Sequence, residues 1–88
     1  MATNWGAPVR VLIGSNTAYN VTTLEKAAEL LLDGWPDQGA RSRRAREAIL
    51  RAADRPGDPG TLISARMAFE AAARAADILL ERRPDAQG

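Results

Sequence analysis

The chain has 88 residues, a mass of 9.4 kDa and a net charge of +1, with 45% hydrophobic and 26% charged residues. At this size folding hides only roughly 60–65% of the extended-chain surface, which excludes a deeply buried multi-subsite cleft, and the composition excludes a disordered chain. Cysteine and histidine are both absent, so disulfides, thiolate nucleophiles, imidazole acid–base chemistry and the usual zinc ligands are removed together.

Residues 1–8 (MATNWGAP) read as a short lead-in to a single small domain whose ordered core runs from about residue 8 to 83. Val9, Val11 and Ile13 alternate through residues 9–14, and Tyr19 and Val21 resume the alternation in residues 18–22. Turn-tolerant Gly14, Ser15, Asn16 and Thr17 lie between them, which predicts an antiparallel β-hairpin resting on the helices that follow. Thr22 and Glu25 fit a capping box opening a helix that carries Leu24, Ala27, Ala28 and Leu31 on one stripe and Glu25, Glu29 and Asp33 opposite. Gly34 is a natural stop, with Trp35 placed to pack back on Leu30 and Pro36 unable to continue.

A second helix is predicted over Gln38–Asp54, with Ala45, Ala48, Ile49 and Ala52 as its apolar stripe and Glu47 and Arg51 spaced to pair. The RPGDPG stretch (55–60) breaks the chain, and Thr61 is the expected cap of a last helix running to about Arg83. At 100° per residue Leu62, Ala65, Phe69, Ala72, Ala76 and Leu79 share one side of that helix. Met67, Ala71 and Ile78 form a further apolar edge. The expected fold is α+β: an N-terminal antiparallel hairpin followed by three α-helices, the last long and central.

These elements contain residues that resemble the domain of unknown function 982 family. The resemblance covers about residues 8–80, and Trp35-Pro36 and the Ala65–Ala76 run with Arg66 and Phe69 are its most specific pieces. Family members often carry His and Cys in the second helix, where this sequence has Ser42 and Ile49, and an acid near Ala75. The resemblance implies a shared fold and supplies no reaction.

Nucleophilic catalysis would need Ser15, Ser42, Ser64 or a threonine with Lys26 as base, and none has the required spacing. Gly57 and Gly60 are interrupted by Pro56 and Pro59 and form no phosphate loop. The sequence therefore assigns no catalytic residue, no metal and no cofactor. Arg41, Arg43, Arg44, Arg46, Arg51 and Arg55 against Glu47 and Asp54 make residues 41–55 net +4, leaving −3 for the rest of a +1 chain. Arg44, Arg51 and Arg55 fall along one flank, a spacing able to follow a phosphate backbone; the competing reading has these arginines solvating the helix and pairing with the acidic face of the first one. Arg66 reads as an intrahelical partner of Glu70 or a hydrogen-bond donor to the turn after Trp35, in preference to a ligand-binding arginine.

No apolar run approaches the roughly 18 residues of a membrane span, and MATNWGAPVR lacks the apolar region of a signal peptide. The expectation is a cytoplasmic, metal-free, non-catalytic protein-interaction module. Its partner is another protein or a second copy, with a homodimer through Leu50, Met67, Ala71 and Ile78 preferred. An accessory nucleic-acid-binding protein using the Arg-rich second helix is the alternative.

Overall fold

In a computed structural model the chain is described over residues 3–13, 17–33, 35–36, 39–55 and 57–80. Two antiparallel strands, β1 (Asn4–Ile13) and β2 (Thr17–Thr23), are followed by helices α1 (Leu24–Leu32), α2 (Ala40–Asp54) and α3 (Pro59–Ala75). The expected α+β order is therefore the observed one. Alternation along the strands does what its period dictates. Val9, Val11 and Val21 are buried against the helices, while Arg10, Ala18 and Asn20 face outward. The expected turn at Gly14–Asn16 lies outside the described residues.

The N-terminal segment departs from the expected lead-in. Strand pairing starts at Asn4, opposite Thr23, and the register then jumps to Val9 opposite Val21, so β1 carries a large bulge. Gly6 sits in that bulge at φ 97°, a conformation that costs glycine little, and its N–H donates to Asn4 Oδ1 at 2.7 Å. The bulge turns Trp5 inward, where its indole N–H donates to the Val21 carbonyl at 2.9 Å. Pro8 interrupts the sequence pattern without interrupting the strand, because the bulge removes the need for its N–H.

Helix α1 is capped one residue later than expected. Thr23 is the N-cap, its hydroxyl accepting from Lys26 N at 3.2 Å, and the Glu25 carboxylate accepts from Thr3 N at 2.8 Å instead of reaching back to Thr22. The Thr3 amide holds the Glu25 carboxyl below its ordinary pKa of 4.5, because the bond favours the charged form. At the other end, Trp35 is buried as expected, but the cap geometry at Gly34 lies outside the described residues.

Helix α2 begins at Ala40, with Gly39 as N-cap, and not at Gln38, which lies outside the described residues. It buries Ser42, Ala45, Ile49 and Ala52 against Ala65, Phe69, Ala72 and Ala73 of α3. Ala48 is only half-buried. The two helices form an antiparallel αα-hairpin whose small facing side chains allow close approach.

The last helix starts earlier than the sequence predicts and stops sooner. Its N-cap is Asp58, whose carboxylate accepts from Gly60 N at 2.9 Å, with Pro59 in the first turn; Thr61 lies inside the helix. The helix stops at Ala75 because Asp77 takes φ 61°. Asp77 N then donates to the Arg74 carbonyl and Ile78 N to the Ala73 carbonyl, at 3.1 and 3.0 Å, the paired bonds of a Schellman motif with aspartate in the usual glycine position.

Ile78 and Leu79 therefore leave the helix. Leu12 N donates to the Ile78 carbonyl and Leu80 N to the Arg10 carbonyl, at 2.8 and 2.9 Å, so residues 78–80 cover the outer edge of β1. At the centre of the core, Phe69 packs between Trp5 and Trp35, with ring centroids 5.4 and 5.2 Å away.

Candidate functional site

The family-like motif residues turn out to hold the fold together. Trp35 and Phe69 are core side chains, and Pro36 is exposed at the chain reversal. Arg66 bridges two elements: its Nε donates to the Ala7 carbonyl at 2.8 Å, and its Nη1 lies 3.5 Å from Glu70. Glu70 also receives Arg74 at 3.9 Å, which completes a ladder along α3. The expected Glu70 pair is present. The backbone contact goes to the β1 bulge and not to the turn after Trp35. Arg66 is thereby the strut that fixes the bulge against the helix.

The arginine flank is open. Arg41, Arg43, Arg44, Arg51 and Arg55 are exposed, and among the described residues none of them forms an ion pair with a carboxylate. Among the described residues, neither a pair from Arg41, Arg43, Arg44, Arg51 or Arg55 to the acidic face of α1 nor the Glu47–Arg51 pair is formed. Arg44 lines a depression of about 320 Å³ with Ala40, Arg41, Ala68 and Ala71. Arg51 lines a second, of about 330 Å³, with Ala48, Asp58, Gly60, Thr61 and Ser64. The two follow one another along the same side of the antiparallel α2/α3 pair.

The residues expected to form one contact patch are dispersed. Ala71 belongs to the arginine-lined depression, and Ile78 is half-buried beside β1. Met67 is 60% exposed one helical turn from Ile63, itself 57% exposed, on the outer face of α3. Leu50, 68% exposed, stands instead with Leu32, 77% exposed, at a small apolar cleft between α1 and α2 floored by Ala28 and Ile49 and edged by Arg46. Leu32 was not singled out from sequence. Its signal is present in the run Leu30-Leu31-Leu32, because steps of 100° cannot place three consecutive side chains on one buried face.

For chemistry at these sites, Lys26 is already engaged, with Glu29 at 3.2 Å and the Tyr19 ring centroid at 5.1 Å. Ser42 is buried in α2, Ser64 is exposed on α3, and Ser15 lies outside the described residues. Ser42 and Ile49, where the resemblance implies His and Cys, both face the core, at 1% and 2% exposure. Among the described residues no helix is long and apolar enough to cross a membrane.

Comparison with curated proteins and with solved structures finds no match. The sequence profile of a family described as "Protein of unknown function (DUF982)" matches residues 7–80. That span holds the hairpin, all three helices and the Trp35, Arg66 and Phe69 framework, and the chain belongs to the DUF982 family.

Proposed function

We propose that the protein is a cytoplasmic, non-catalytic interaction module that pairs with a second copy of itself through the cleft between α1 and α2. The observation that supports this reading is the placement of Leu32 and Leu50, both mostly exposed, on either side of an apolar recess. The recess, about 60 Å³, is far below the roughly 300–1,000 Å³ of a ligand pocket. It suits one inserted side chain. A two-fold arrangement inserts Leu50 of each copy beside Leu32 of the other, so that a protrusion and a recess on one surface complement themselves.

The magnitude of the interaction follows from the leucines. Covering four of them, each already partly buried, stabilises the pair by roughly 4–8 kcal/mol at about 1.5–3 kcal/mol per fully buried side chain. Association costs about 4–15 kcal/mol in lost freedom. The best case of this balance is about 4 kcal/mol, a Kd of about 1 mM, so the dimer is weak and forms only at about millimolar concentration. A non-catalytic role is supported by Lys26, the only amine base within the helices, being committed to Glu29 and Tyr19. Sedimentation velocity over a concentration series tests the reading. The wild type is expected to shift toward dimer as concentration rises, and Leu50→Glu to stay monomeric. A wild type that remains monomeric throughout contradicts it.

A further inference from the structure

We propose that the flank shared by α2 and α3 binds the phosphodiester backbone of duplex nucleic acid, without reading its sequence. This surface is separate from the Leu32/Leu50 cleft: on α2, Leu50 points about 100° away from Arg44 and Arg51. Pairing through the cleft leaves the flank open.

Charge and length identify the occupant. Arg41, Arg44, Arg51 and Arg55 follow one another along α2, all exposed and none ion-paired among the described residues. From the first to the last is about 21 Å of helix at 1.5 Å per residue. One phosphate group cannot engage charges spread over that distance, whereas a polyanion with evenly spaced charges can. Glu47 and Asp54 border this flank, Glu47 standing three residues from Arg44 and four from Arg51. Among the described residues neither forms an ion pair with these arginines, and four arginines against two acids leave the flank net positive. Asp58 is the single carboxylate lining either depression, and it is occupied as the N-cap of α3.

The floor of the groove distinguishes nucleic acid from an acidic protein segment. Ala40, Ala48, Ala68, Ala71, Gly60 and Ser64 line it. Protein partners are anchored by aromatic or large apolar side chains in recesses shaped for them, and a shallow floor of small residues offers no such recess. A sugar–phosphate backbone needs none. Trp5, Trp35 and Phe69 are buried and Tyr19 lies on the hairpin, so no exposed aromatic face stands in the groove for base stacking. The contacts are to phosphates, and phosphate contacts carry no direct sequence information.

Fluorescence anisotropy with a labelled random-sequence DNA duplex tests the proposal, with labelled polyglutamate as a second probe. The wild type is expected to bind the duplex at low salt and to lose affinity steeply between about 50 and 200 mM salt. Arg44→Gln/Arg51→Gln/Arg55→Gln is expected to flatten the slope of log affinity against log salt by up to about 3. Arg44→Gln alone should weaken binding several-fold more than Arg10→Gln, which removes one exposed charge from the hairpin. All four positions are exposed, and far-UV circular dichroism confirms that the variants fold. Absence of duplex binding at low salt, or binding that the triple variant leaves unchanged, overturns the proposal. Polyglutamate binding as tight as duplex binding also overturns it and assigns the flank to an acidic protein segment.

Discussion

Asp77 carries the backbone conformation that ends α3, at φ 61°, where an L side chain is crowded by its own carbonyl. It also places a negative charge at the negative end of the helix dipole. Asp77→Gly relieves both, partly offset by the extra freedom of glycine in the unfolded chain. The expected result is a gain of about 0.5–1 kcal/mol in urea titration, with Asp77→Val losing about 1–2 kcal/mol. Ser42 presents the opposite case, a hydroxyl at 1% exposure with no hydrogen-bond partner among the described residues. Ser42→Ala removes that unsatisfied group and improves helix propensity, so it is expected to stabilise by about 1 kcal/mol. A thermal melt that moves down for Ser42→Ala would show that the hydroxyl is held by a partner.

At the scale of elements, the cap of α1 separates two adjacent threonines. Thr23 supplies the hydroxyl that accepts from Lys26 N, whereas Thr22 belongs to β2. Thr23→Ala is expected to cost about 0.5–2 kcal/mol and Thr22→Ala less, measured by denaturant midpoint. The two readings differ by one residue because both Thr22 and Thr23 are competent caps, and the pull of Thr3 on Glu25 decides between them. The helices were legible because their apolar spacing is strong, as Ala45, Ile49 and Ala52 show. The strand at Trp5 was not, since Gly6 and Pro8 argue against a strand unless a bulge accommodates both. Nor was the end of α3, because the residues beyond Ala75 keep a helical apolar period and Asp77 stands where glycine would have announced the stop. Hairpin pairing then recruits Ile78–Leu80, a tertiary effect that no local pattern encodes.

Across the whole molecule, buried aromatics and exposed surface divide cleanly. Trp5, Phe69 and Trp35 join the bulged strand, the long helix and the chain reversal after α1 into one core, and Arg66 locks the bulge over it. The arginine flank could be read from helical angles in α2 alone. Its completion by Ala68, Ala71 and Ser64 could not, because it depends on how α3 returns beside α2. The packing of α1 on α2 makes Leu50 a neighbour of Leu32, while Met67 stands on the outer face of α3. Two exposed apolar pairs stand among the described residues, Leu32 with Leu50 and Ile63 with Met67, and the first flanks a recess that can receive its own counterpart. The chain contains no cysteine, so a single introduced thiol reports one surface without interference. Oxidative cross-linking of an equimolar mixture of Leu32→Cys and Leu50→Cys chains, against Met67→Cys alone at matched high concentration, tests the central claim most directly. Rapid disulfide linkage between the Leu32→Cys and Leu50→Cys chains with little from Met67→Cys is the predicted result; efficient cross-linking of Met67→Cys with no linkage in the mixture would contradict it.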